Sequence, residues 1–157
     1  MAENERELTL VKEFDAPREL VWKFWTDPEL LAKWWGPRGV TNPECEVDLR
    51  PGGTIRVVML AGAELGELAG QRWPMQGTFK EVVEPEKLVF VNQALSEEGE
   101  VLIDGLTTVT FEEQGGKTKM TLHTVARAVA PPAEQMIAGM NEGWSQSLDK
   151  LTELVNK

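Results

Sequence analysis

The spacing of apolar residues changes period three times along the chain, and each change marks an architectural boundary. Residues 6–14, RELTLVKEF, mix apolar and polar positions with β-favouring side chains, which predicts a first strand ending at Asp15. A helical period follows. Asp15 or Ala16 caps a helix with Pro17 in its first turn and Leu20, Val21, Phe24 and Trp25 at helical spacing. Thr26 or Asp27 before Pro28 repeats the start signal, and a second short helix carries Leu30, Leu31, Trp34 and Trp35 until Gly36-Pro37 stops it.

From Pro43 to Val125 the pattern is that of strands. ECEVDL (44–49), the turn RPGG and TIRVVML (54–60) form a hairpin with Ile55, Val57 and Met59 on one face. The stretch 61–71, AGAELGELAGQ, lacks β-branched residues and is expected to be a mobile surface loop. Four further strands are predicted at 75–83, 87–94, 106–113 and 118–126, joined by short turns that favour antiparallel pairing. Pro131-Pro132 then opens one long helix over 133–155. Its Met136, Met140, Trp144, Ser147, Leu148, Leu151, Leu154 and Val155 fall on an arc of about 120°.

A strand, two short helices, six strands and a long terminal helix bury their apolar faces if the sheet curves around that last helix. The two halves of the helix differ in bulk. Leu148, Leu151, Leu154 and Val155 fill space, whereas Met136, Met140, Gly143, Trp144 and Ser147 leave the first half underfilled. Gly143 costs about 1 kcal/mol of helix propensity relative to alanine. Close approach of a strand or of a ligand to the backbone would each account for it.

At 157 residues the chain fits a single domain, here taken as 1–157, with 41% hydrophobic and 27% charged residues, the composition of an ordinary soluble globule. The net charge of −10 repels phosphate backbones and anionic membrane surfaces, so no nucleic-acid partner and no membrane insertion are expected. The charged start MAENERELTL is unlike a secretory signal, which points to the cytoplasm. Cys45 is the only cysteine, and its alternation with Val47 and Leu49, against Glu44, Glu46 and Asp48, marks it as a buried, unreactive thiol.

Several segments match a known pattern together. FDAPRELVWKFWTDPELLAKWWGP, DLRPGG, the G-x-F-x-E-V-V-x-P-x-K-L-V-F run from Gly77 to Phe90, TTVTFEEQGGKTKMTL and GWSQSLDKL resemble the START-like, or SRPBCC, superfamily. More narrowly they resemble bacterial proteins named for similarity to the activator of the heat-shock-protein ATPase, over about Glu7 to Leu154. The resemblance implies an α+β helix-grip architecture like that of the birch pollen allergen: a seven-stranded antiparallel sheet wrapped around a long C-terminal helix, with an apolar pocket between them. Relatives of that shape bind lipids, sterols, polyketides or plant hormones, and a few are cyclases or aromatases. The narrower branch has no agreed substrate, and the eukaryotic activators carry a further N-terminal domain.

Residues 21–37, VWKFWTDPELLAKWWGP, hold four tryptophans, which either plug the end of a core or form a cavity wall, with Trp35 nearest any opening. Apolar contact to a ligand is expected from Trp35, Met59, Trp73, Phe79, Phe90, Phe111, Met136, Met140 and Trp144. Asn92 either orients a ligand carbonyl or hydroxyl or is a satisfied core amide. Glu64 and Glu67, with Arg72 and Trp73 behind them, form either a lid or a solvated loop. His123, the only histidine, alternates with Met120 and Leu122 and so points outward. No catalytic set, metal-ligand cluster, phosphate-cradling loop or cofactor is expected. The leading expectation is a binder of a small hydrophobic or amphipathic molecule. A cyclase-like or hydrolytic enzyme using the same pocket and a co-chaperone-like interaction module are the alternatives, and any protein partner is unspecified.

Overall fold

Six antiparallel pairings join seven strands into one sheet in the order β1-β7-β6-β5-β4-β3-β2 in the computed structural model, which describes residues 5–36, 38–96, 98–129 and 140–156. The strands are β1 (Glu5–Phe14), β2 (Val40–Val47), β3 (Thr54–Ala61), β4 (Arg72–Val83), β5 (Lys87–Leu95), β6 (Val101–Gln114) and β7 (Lys117–Ala128). Helices α1 (Arg18–Thr26) and α2 (Pro28–Leu31) lie between β1 and β2, and α3 (Met140–Val155) ends the chain. This is the expected helix-grip arrangement. The proposed start of the terminal helix, 133–139, lies outside the described residues.

Local chemistry explains the boundaries. Asp27 caps α2 by accepting the Glu29 backbone N–H at 3.0 Å. At the start of α1 the expected cap is displaced: Pro17 takes the N-cap position without a side-chain bond, and the Asp15 backbone N–H instead donates to Asn156 Oδ1 at 2.9 Å. Of the two turn types open to RPGG, the positive φ of Gly52 (83°) selects type II, closed by the Gly53 N–H to Arg50 carbonyl bond at 2.8 Å.

Three strands run longer than the apolar pattern predicts. β2 starts at Val40 because an irregularity between Thr41 and Glu44 absorbs Pro43. β4 starts at Arg72, which pairs with Leu60, and β6 at Val101, which pairs with Leu95. The stretch expected to be an unstructured loop contains a 3₁₀ segment, Ala63–Leu68, broken at Gly66 (φ 60°, ψ −117°).

The core is filled where the side chains are large. On α3, Ser147, Leu148, Leu151 and Val155 are buried, and each of the three aliphatics contributes roughly 1.5–3 kcal/mol. They pack with Phe79, Leu88, Phe90, Val109, Phe111, Met120 and Leu122 from the sheet and with Val21, Trp22, Trp25, Leu31 and Trp34 from the first helices. Leu20, expected on the apolar side of α1, is exposed, and Trp22 is buried in its place. No helix among the described residues is long and apolar enough to cross a membrane.

Candidate functional site

Inward side chains are smaller toward one end of the sheet on each of three central strands. On β5 the inward series is Leu88, Phe90, Asn92, Ala94; on β7 it is Met120, Leu122, Thr124, Ala126. On β6, Phe111 and Val109 give way to Thr107 and Gly105. Across from them α3 changes from Leu151 and Leu148 to Ser147 and Gly143. The two surfaces therefore diverge in bulk together, and a cavity of about 780 Å³ opens between them.

Its wall includes Trp35 and Gly36 after α2, Met59 of β3, Trp73 to Met75 of β4, Asn92 to Leu95 of β5 except Gln93, Leu102 and Ile103 of β6, Ala126 of β7, and Met140, Gly143, Trp144 and Ser147 of α3. Leu68, Gln71, Arg72, Ser96 and Glu98 complete the rim. A Cβ on Gly143 would meet nothing within 4 Å, so no strand of the described residues presses on this glycine. At Gly36, by contrast, a Cβ would lie 2.6 Å from Met59 Sδ, and its absence lets Met59 reach the wall.

The tryptophans divide between core and cavity. Trp25 and Trp34 are sealed, with ring centres 4.7 Å apart. Both have partners for their indole N–H groups: Trp25 donates to Met120 Sδ at 3.2 Å and Trp34 to the Phe24 carbonyl at 3.0 Å. Trp35 and Trp144 stand on the cavity side of this pair, edge to face at 5.4 Å, and Trp144 stacks toward Trp25 at 6.5 Å. Residues 22–35 thus supply both plug and wall.

Asn92 is the enclosed polar group of the site. Its Oδ1 accepts from Thr107 Oγ1 at 2.8 Å, and Thr107 Oγ1 lies 2.9 Å from Thr124 Oγ1. Both threonines are fully buried. Glycines flank Asn92 on each side, Gly77 in β4 and Gly105 in β6. A Cβ at Gly77 would fall 1.7 Å from the Val91 carbonyl oxygen, and one at Gly105 would sit 3.1 and 3.2 Å from the two amide atoms of Asn92.

Of the residues expected to touch a ligand, Trp35, Met59, Trp73, Asn92, Met140 and Trp144 are on the cavity wall. Phe79, Phe90 and Phe111 are not; they are 1%, 1% and 2% exposed within the filled half of the core. There Phe79 packs on Phe90, and Phe111 on Trp22, with ring centres 6.1 and 5.6 Å apart. Met136 lies outside the described residues. Arg72, expected behind a lid or solvated loop, is on the rim, and Met75, Ala94, Leu102, Ile103 and Ala126 join the wall without having been singled out from the sequence; for Ala94 and Ala126 the small inward residues at the strand ends are the available signal. Trp73 Nε1 donates to Gln71 Oε1 at 3.2 Å, which fixes one side of the rim. Arg72 reaches Glu44 at 3.7 Å, while Glu64 and Glu67 are exposed and off the wall.

The remaining reactive groups lie elsewhere. His123 is on the outer face of β7, with Nε2 2.6 Å from Glu7 Oε2. Burial, reinforced by the charges of Asp27 and Glu46, pushes the Cys45 thiol up to about 11, which suppresses the thiolate. No group of three or more potential metal ligands occurs among the described residues.

The family profile for activator of Hsp90 ATPase homolog 1-like protein matches residues 15–156. Among solved structures, protein CV1439 from Chromobacterium violaceum is 28% identical with a TM-score of 0.78, over 99% of each chain. NE0264 from Nitrosomonas europaea is 29% identical with a TM-score of 0.73, covering 98% of this chain and 95% of that one. The AHSA1 protein SPO3351 from Silicibacter pomeroyi is 25% identical with a TM-score of 0.76, covering 94% and 96%. No curated protein matches the sequence.

Proposed function

Because this chain belongs to the activator of Hsp90 ATPase homolog 1-like family, we propose that it is a cytoplasmic, single-domain START-like protein that encloses a small hydrophobic or amphipathic molecule between sheet and α3. The observation that carries this reading is the cavity itself. At about 780 Å³ it lies within the range of roughly 300–1,000 Å³ that small-molecule sites occupy. Its wall is mostly apolar, with aromatic rings at Trp35, Trp73 and Trp144 and the flexible thioethers of Met59, Met75 and Met140. A single enclosed amide, Asn92, supplies orientation. The net charge of −10 supports a partner other than nucleic acid.

An enzymatic role would need an acid or base on that wall. His123 faces the opposite side of the sheet, and among the described residues the ionisable side chains on the wall, Arg72 and Glu98, are both exposed at its rim. Binding is therefore the better supported activity. Native mass spectrometry of protein taken from cells should show an additional mass that organic extraction removes. No bound mass, together with no thermal shift from any lipid, sterol or aromatic tried, overturns the reading.

A further inference from the structure

The hydroxyl hydrogens behind Asn92 can be arranged in only one fully satisfied way. If Thr124 donates to Thr107, Thr107 is free to donate to Asn92 Oδ1, and both hydrogens are used. Rotating the amide would set its NH2 against Thr107, which would then have to donate to Thr124. The Thr124 hydrogen would be left with no acceptor among the described residues. Thr124 is 0% exposed, so an orphaned hydrogen there carries the full desolvation penalty. The chain therefore runs Thr124 to Thr107 to Asn92 Oδ1, and the amide orientation is fixed from behind.

The consequence is on the cavity side. Asn92 Nδ2 has no hydrogen-bond partner among the described residues. It is not sealed off either, since the buried, unpartnered side-chain atoms are Arg18 Nε and Asn42 Oδ1. With Gly77 and Gly105 as its neighbours across the sheet, no side chain covers it from the adjacent strands. Opposite, Ser147 spends its own hydrogen on the Gly143 carbonyl at 3.0 Å.

We infer that the occupant is a neutral apolar molecule carrying a carbonyl oxygen, of the ketone or ester class, which accepts a hydrogen bond from Asn92 Nδ2. This rests on the cavity being a binding site. A donor in that position would face a donor that cannot turn around. An ionised group would be buried without a counter-charge, because Arg72 and Glu98 stay at the exposed rim. An alcohol can accept the bond but must then bury its own hydrogen.

Three probes of one shape separate these cases: 2-acetylnaphthalene, 1-(2-naphthyl)ethanol and 2-ethylnaphthalene, measured by equilibrium dialysis against the full chain. The ketone should bind about tenfold more tightly than the ethyl compound, with the alcohol between them. Asn92→Leu should bind the ethyl compound at least as well and lose the preference for the ketone. Replacing both hydroxyls, in Thr107→Val/Thr124→Val, removes the relay without orphaning either partner. The freed amide should then bind ketone and alcohol equally, and this variant decides the matter if Asn92→Leu does not fold. Ketone and ethyl affinities within twofold in the native chain, or a preference that survives in Asn92→Leu, overturn the inference and leave the cavity reading intact. If none of the three binds and native mass spectrometry finds no bound mass, the cavity reading fails as well.

Discussion

Trp144 meets Trp35 edge to face, ring centres 5.4 Å apart and planes at 80°, where the filled core gives way to the cavity. The pair belongs to both. Its loss should therefore be felt in binding more than in stability, the reverse of what is expected for its fully buried neighbour Trp34.

Trp144→Ala is predicted to abolish binding of the neutral probe 2-acetylnaphthalene while costing about 2 kcal/mol in urea denaturation, below the range for a sealed ring. Trp34→Ala, which empties a site that is 0% exposed, should cost about 3–5 kcal/mol.

Gly143 offers a way to separate shape from stability. Gly143→Ala should raise stability by up to about 1 kcal/mol, since a Cβ there meets nothing within 4 Å and helix propensity improves. Gly143→Phe should block the same space. Thermal melts of the two variants should both match or exceed the native chain, with ligand uptake retained in the first and lost in the second.

The two glycines beside Asn92 should behave differently. At Gly77 the obstacle is backbone, the Val91 carbonyl, so Gly77→Ala is expected to cost at least about 2 kcal/mol through forced strand displacement. At Gly105 the obstacles are the two Asn92 amide atoms at 3.1 and 3.2 Å and the Asn92 backbone carbonyl at 3.2 Å, each close enough to need only a small shift. Gly105→Ala should stay folded and shift the Asn92 side-chain NH2 resonances in an ¹⁵N-correlated NMR spectrum.

The thiol of Cys45, half-buried rather than fully buried as its alternation suggests, sets an alkaline limit. Cys45 is raised from 9.0 to about 11 by burial, so the folded chain holds its proton where the unfolded chain has released it. Its stabilising contribution is full below about pH 9 and is lost as pH climbs to about 11. Stability of the native chain should decline more steeply across that window than that of Cys45→Ala. Alkylation by iodoacetamide at pH 8 should be slow until urea unfolds the protein.

Architecture was legible because it rests on period. The 3.6-residue spacing of Leu148, Leu151 and Val155 and the two-residue alternation around Val109 and Phe111 each select one buried face. The same alternation placed His123 outward, where Glu7 meets it. The helical side of the site followed from the helix alone, through Met140, Gly143, Trp144 and Ser147. Phe79, Phe90 and Phe111 were assigned to the cavity because alternation reports which face a residue occupies and says nothing of its height along the strand. Height depends on register, and the pairing of Asn92 with Gly77 and Gly105 appears only when strands are set side by side. The short caps were harder still: Pro17 takes the N-cap position, while the Asp15 carboxylate pairs with Lys117 and its backbone N–H donates to Asn156, 141 positions away.

The order β1-β7-β6-β5-β4-β3-β2 puts the first two strands of the chain at opposite margins of the sheet, with α1 and α2 slung between them. On the ribosome, β2 to β7 can pair in the sequence in which they emerge, each hairpin completing the last. Strand β1 must wait, because Glu5 joins Arg127 and Phe14 joins Thr118. Until residue 128 has been synthesised, the tryptophans of residues 22–35 have little of their final shelter, so the nascent protein needs protection at least until β7 is complete.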